Sequence, residues 1–208
     1  MDAEDSLMLS QIVAFLAMMN PFAMFLYLGP VMEELENKDF LKVLFKASLI
    51  SFLVFVVFVF SGDWLFTKML RIEFDSFRIF GGIIIFSLAY IFIVKGQKAL
   101  IIIHGDLDNL AEEIAMPYMV GAGTISLVVL MTKDLGTETA LFSIFIILVL
   151  NFVIIAGLKK FRDVLSKKKL KIAFDKNMAI LLRLNGFFLG AIGVNMVILG
   201  VRELFNFA

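Results

Sequence analysis

LAMMNPFAMFLYLGP, residues 16–30, lies inside an uncharged stretch, 6–32, and carries Asn20-Pro21 at its centre. A spanning helix takes about 20 apolar residues, so this stretch is long enough to cross a bilayer. Pro21 has no N–H, which leaves the carbonyl of Ala17 without its helical donor, and the proline ring crowds that same carbonyl. In hydrocarbon the freed group must find a partner, on a neighbouring helix or on a ligand. Asparagine before proline is pushed out of the α region, so unwinding at 19–21 is expected in place of a smooth kink. A second apolar stretch, 116–132, holds the one comparable interruption, Pro117 followed by GAGT at 121–124. Two interrupted spans in matching halves of a chain point to a transporter site.

Composition sets the class. The 208 residues are 61% hydrophobic and include 24 Phe, and the mean hydropathy is +0.98; a soluble domain of this size cannot bury so much apolar surface. Zero net charge removes the basic field that nucleic acid would require. The absence of cysteine excludes disulfides, thiolate metal sites and a Cys nucleophile together. The acidic start, MDAEDS, and the length of the apolar segment behind it argue against a signal peptide, so the first segment is expected to be retained.

Uncharged windows run 6–32, 47–62, 79–94, 114–132, 139–158 and 184–201. They predict an all-α, polytopic membrane protein, one transmembrane domain over 1–208 with six helices; five is the alternative if 114–132 is re-entrant. Windows two and three are short, and Lys42, Lys46, Arg78 and Lys95 lengthen them by snorkelling. With six spans, 14 of the 19 Lys and Arg fall in the segments 33–46, 95–113 and 159–183. Those segments are expected in the cytoplasm and both termini outside a cell membrane. The stretch KKFRDVLSKKKLKIAFDKN within them reads as a solvated loop.

RIFGGIIIFSLAYIFI from Arg78 overlays RLNGFFLGAIGVNMVI from Arg183, with Gly81 on Gly186. The arginines need an offset of 105 and the prolines Pro21 and Pro117 one of 96. Three helices per half force opposite topologies. The expectation is therefore two inverted three-helix repeats, about 7–95 and 114–204, whose interrupted helices one and four meet near a pseudo-two-fold axis.

Around the interruptions, Pro30 is expected to end helix one before the acidic turn at 33–36, and Asp63 and Trp64 to mark an interface. His104 reads as a loop residue and 99–103 as a short interfacial helix or an extension of helix three. Glu112-Glu113 ahead of Pro117 suit a helix N-terminus. Unwinding at GAGT would turn the N–H groups near Thr124 and Ile125 inward as an anion receptor; alternatively the glycines admit a neighbouring helix. Asn151 is a buried amide that wants partners. Gly186, Gly190, Gly193 and Gly200 share one helix face and form a packing seam, whereas Asn195 points elsewhere.

Asn20-Pro21-Phe22-Ala23 resembles the Asn-Pro-x-Gly of the MarC-type integral membrane proteins, which include SnatA amino-acid transporters. RIFGG at 78–82 is similar to that family's Arg-x-x-Gly-Gly segment. Pro117 through Ile125 resembles its Pro-x-x-x-Gly-Pro-Gly-Ala-Ile, with Ala122 in place of the inner proline as Ala23 stands in place of glycine. The resemblance covers nearly the whole chain and implies transport of small neutral amino acids of the glycine and alanine class.

Residues and resemblance together predict a secondary transporter working by alternating access, with Asn20, Pro21, Ala23, Gly121, Ala122, Gly123 and Thr124 at the substrate and Asn151, Asn195, Arg78 and Arg183 as secondary candidates. No cofactor or structural metal is expected; Na⁺ or H⁺ would couple transport. Partners are the amino acid and the lipid bilayer, with homo-oligomerisation left open and nucleic acid excluded. The competing function is a structural or regulatory membrane protein that transports nothing. An enzyme is not expected, because no span carries a His, a Cys or an acidic pair.

Overall fold

A computed structural model describes residues 3–69, 71–96, 110–165 and 167–205; the readings of His104 and of 99–103 lie outside the described residues. Every element among them is helical. The first span is α1 (Ala3–Met19) followed by α2 (Pro21–Tyr27) and α3 (Gly29–Glu34). Next comes α4 (Asn37–Asp63), which runs into a π-helical turn at Trp64–Met69, and then α5 (Phe74–Lys95). The second half holds α6 (Leu110–Glu113), a π-helical segment at Ile114–Met119, and α7 (Ala122–Leu135). It closes with α8 (Thr137–Val164) and α9 (Lys168–Leu204).

Among the described residues five helical segments are long and apolar enough to cross a membrane: Asp5–Tyr27, Asn37–Gly62, Asp75–Lys95, Thr137–Val164 and Lys168–Leu204. The window at 114–132 is divided instead, because the backbone is extended at Met116, Val120 and Gly121. Its longer piece, α7, has 14 residues, about 21 Å at 1.5 Å per residue, against about 30 Å of hydrocarbon.

Two expectations are corrected. Pro30 opens a helix, occupying the second position of α3, because a residue without N–H is tolerated where no intrahelical bond is due. The chain turns extended only at Leu35. The basic stretch 159–177 is not a loop: α8 continues to Val164 and α9 already begins at Lys168.

Two antiparallel helix pairs frame the molecule. In the first, Asn37 at the start of α4 meets Lys159 near the end of α8 through a hydrogen bond from Lys159 Nζ, and the Phe52 and Phe145 rings meet edge to face further along. In the second, α5 and α9 touch at backbone distance. A Cβ on Gly193 would lie 2.7 Å from the Gly82 carbonyl oxygen, one on Gly200 2.9 Å from that of Asp75, and one on Gly186 3.2 Å from that of Ala89. The three levels are seven residues apart on both helices, so three of the four predicted glycines form one seam. Gly190 makes only ordinary contact, 3.6 Å from the Ala89 Cβ.

The broken segments pack between the pairs. Their apolar side chains fill a large core with α4 and α8 around Phe15, Phe25, Phe55 and Ile144, and a smaller one with α5 and α9 around Ala23, Ile85 and Leu189. Ties at the ends fix them further. Gln11 donates to Asp134 at 2.8 Å. At the opposite, basic end Arg162 donates to both oxygens of Asp175, at 3.0 and 3.1 Å, and to Glu33 at 2.9 Å, joining α3, α8 and α9. Gly136, at φ 80°, makes the one-residue corner between α7 and α8, a conformation that glycine alone adopts without strain.

A side chain at 193 would have to push α5 and α9 apart. Gly193→Leu is expected to cost about 1–3 kcal/mol, read as a fall in Tm in detergent, while Gly190→Ala stays near the unsubstituted protein.

Candidate functional site

The first break is made by one residue. Asn20 sits in the left-handed region, φ 46° and ψ 74°, between α1 and α2; asparagine is among the few non-glycine residues that tolerate it. Its side chain caps the new helix, Oδ1 accepting from the Ala23 N–H at 3.1 Å. Asn20 is 2% exposed, and its Nδ2 has no protein partner. Pro21 is buried as the first residue of α2. The Ala17 carbonyl freed by that proline accepts from Asn185 Nδ2 of α9 at 2.7 Å. A neighbouring helix, not a ligand, thus fills this particular vacancy.

The second break is longer. The Thr124 hydroxyl accepts from the Gly121 N–H at 2.9 Å and shares its own hydrogen between the carbonyls of Met119 and Gly121, each at 3.1 Å. Thr124 is buried, so this hydroxyl is the stitch that holds the turn into α7. The Ile125 N–H already bonds to the Gly121 carbonyl. The amides of the first α7 turn, at Ala122, Gly123 and Thr124, have no acceptor within their helix.

The breaks meet each other. A Cβ on Gly123 would fall 2.4 Å from Cε of Met18 and 3.0 Å from Cγ1 of Ile85, so the Met18 side chain of α1 packs directly on the α7 backbone there. Each long core helix also sends one polar side chain to a methionine at a break. Ser51 of α4 donates to Met119 Sδ at 3.2 Å, and Asn151 of α8 to Met24 Sδ at 3.6 Å. Asn151 is fully buried and its Oδ1 has no partner among the described residues; the same holds for Ser143 Oγ two turns earlier on α8.

Asn20, Pro21, Ala23, Gly121, Gly123, Thr124 and Asn151 therefore belong to the two breaks and their walls; Ala122 contributes its backbone as the first residue of α7. The other candidates lie elsewhere. Arg78, half-buried near the start of α5, faces Asp75 at 3.5 Å. Arg183 is exposed on α9, its guanidinium beside Gly96 at the far end of α5. Asn195 stands on the exposed side of α9, lining an outer groove with Phe86 and Phe187.

Asn185 escaped the sequence reading. Its signal was present, an amide inside the apolar window 184–201, but nothing in the local sequence couples it to a carbonyl 168 residues earlier. Arg162 is the other addition. With Glu33 and Asp175 it closes a pocket of about 290 Å³ against Phe25, Leu26 and Pro30, below α2.

Asn185→Leu strips the Ala17 carbonyl of its donor and is expected to cost about 1–3 kcal/mol; thermal unfolding in detergent reads it, against Ser87→Ala, whose hydroxyl bonds only to its own helix. Thr124→Val is expected to lose about 1–2 kcal/mol of capping, and Thr124→Ser to keep it.

The chain is similar to a UPF0056 membrane protein of Aquifex aeolicus, 29% identical over 203 residues, which cover 92% of this chain and 91% of that protein. A UPF0056 membrane protein of Pyrococcus horikoshii is 24% identical over 193 residues, 92% of each. No solved structure matches significantly. The model of the MarC family integral membrane proteins matches residues 6–205, which takes in both breaks, both helix pairs and the glycine seam. With that span accounted for, this multi-pass, all-helical membrane protein belongs to the MarC family.

Proposed function

We propose that the protein is a secondary transporter of small neutral amino acids of the glycine and alanine class, working by alternating access around the two breaks. The observation that carries the reading is the meeting of those breaks in the interior, Met18 against Gly123, beside a buried amide donor on Asn20 and a buried amide acceptor on Asn151 that the protein leaves unpaired. Buried polar groups are ordinarily bonded, because leaving one unmade costs about 1–3 kcal/mol. A small zwitterion offers what they lack: a carboxylate for Asn20 Nδ2 and the first α7 amides, and an ammonium for Asn151 Oδ1.

Inverted repeats over about 7–95 and 114–204 supply the motion. Support comes from correspondences that the sequence overlay did not use. The order of buried, half-buried and exposed positions along 51–60 recurs along 151–160 without a difference. That offset of 100 carries Ser51 onto Asn151, each reaching a methionine at the opposite half's break. On the outer pair, an offset of 104 carries Gly82 onto Gly186 and Ala89 onto Gly193, so the contacts 82–193 and 89–186 exchange. In this reading the divided segment 110–135 is the counterpart of α1 and α2 and the sixth crossing. The basic end faces the cytoplasm, both termini lie outside the cell membrane, and Na⁺ or H⁺ couples the flux without a cofactor.

One set of bonds favours the second reading, a membrane structural or regulatory protein. Asn185 and Thr124 satisfy the breaks internally, as packing alone would require. Uptake of labelled glycine and alanine into proteoliposomes separates the two. The transporter reading expects time-dependent uptake that falls at least about tenfold in Asn151→Leu and in Asn20→Gly, which keeps the left-handed backbone but removes the amide. Equal flux in all three proteins, or none above empty liposomes in the unsubstituted one, overturns it.

A further inference from the structure

We infer that the exposed face of α9 is a homodimer interface, organised by Asn195. Five residues on that face, Leu184, Phe188, Ala191, Asn195 and Ile198, follow one another at spacings of four, three, four and three. This is the a/d spacing of a left-handed helix pair. All five are exposed, with Leu184 at 49%, Phe188 at 67% and Ile198 at 59%. The seam lies inside the apolar window between Arg183 and Arg202, and Asn195 falls within three residues of its midpoint, about 4 Å along the axis.

Exposed apolar side chains at that depth need only lipid. An amide does not tolerate it, because hydrocarbon offers no donor or acceptor and each unmet group costs several kcal/mol. Within the uncharged windows the exposed hydroxyls of Ser10 and Ser87 bond back to their own helices, and Tyr90 sits near Lys95, where aromatic residues belong at the membrane interface. Among the described residues Asn195 has no hydrogen-bond partner, and a second chain can supply one.

A second copy meets that need by geometry. Two molecules inserted the same way in one bilayer set their α9 helices parallel, around a two-fold axis along the membrane normal. The two Asn195 side chains then face each other at one depth, and each amide donates to and accepts from its twin. Asparagine at an a position of a parallel helix pair specifies register and two-strandedness in the same way. Ala191, one turn earlier, permits close approach. The groove of about 510 Å³ beside the seam, between Phe86, Phe187, Gly190 and Val194, is a hole for the partner's protruding Phe188.

The absence of cysteine makes the test direct. Single cysteines placed in turn from 187 to 198 are oxidised in proteoliposomes at low protein-to-lipid ratio, with Phe145→Cys on the exposed side of α8 as control. Disulfide-linked dimer is expected to peak at 188, 191 and 198, the positions that leave Asn195 in place. In the Ala191→Cys background, Asn195→Leu is expected to raise the dimer dissociation constant about 3- to 30-fold, and Asn195→Gln to restore dimer. Yields no higher than at position 145, a peak on another face, or an unchanged dimer in Asn195→Leu overturns the proposal; unchanged thermal unfolding of the variants in detergent excludes misfolding as the cause of a lost dimer.

Discussion

Hydrocarbon will not hydrogen-bond to a peptide group, and the structure follows from how the chain meets that refusal at the two places where its helices stop. At the first break Asn20 does two things at once: it takes a backbone conformation most residues avoid, and its Oδ1 caps the helix that restarts at Pro21. The carbonyl left behind by the proline is covered by Asn185 from another helix. At the second break a single hydroxyl, on Thr124, bridges the turn. Each break is thus stabilised by neutral side chains, with no buried charge beside it. That keeps the interior polar without making it ionic, as the proposed binding of a small zwitterion requires.

The surroundings are built for the opposite purpose. The glycine seam locks α5 to α9 at three levels, since close packing takes the place of the hydrophobic effect as the force between helices in lipid. Antiparallel α4 and α8 present apolar stripes to the breaks, interrupted by the buried polar residues Ser51, Ser143 and Asn151. Methionines Met18, Met19, Met24 and Met119 line the space between these walls and the broken backbone. Their unbranched, polarisable side chains adapt to a backbone that changes direction. The α5–α9 pair thus packs at backbone distance beside a centre lined by adaptable methionines.

Local sterics are legible in a sequence, and distant pairings are not. The break at Asn20-Pro21 followed from proline's missing N–H, a property of neighbours in the chain; the unwinding expected at GAGT falls earlier, at Met116, Val120 and Gly121, because Ala122, Gly123 and Thr124 already form the first turn of α7 under the Thr124 cap. The seam at Gly186, Gly193 and Gly200 was equally readable from helical spacing. Asn185 and Arg162 were not, because their importance depends on Ala17, Glu33 and Asp175, which the fold alone brings close. The basic stretch was misjudged since charge density says that a segment is solvated, not that it is unwound: Lys168, Lys169 and Lys171 are good helix formers and ride on α9 beyond the apolar window. Asn195 was grouped with Asn151 because composition cannot say which way an amide faces.

The central claim is that the interrupted backbone at the middle of the molecule is open to a small polar molecule and closes on it. Amide hydrogen–deuterium exchange in nanodiscs addresses that most directly, comparing residues 19–24 and 119–125 with the middle of α4 and α8, in the presence and absence of glycine or alanine. The account predicts measurable exchange at both breaks in buffer, slowed together by the amino acid, while α4 and α8 stay protected throughout. Breaks as fully protected as the long helices, or exchange that neither amino acid alters, would contradict it.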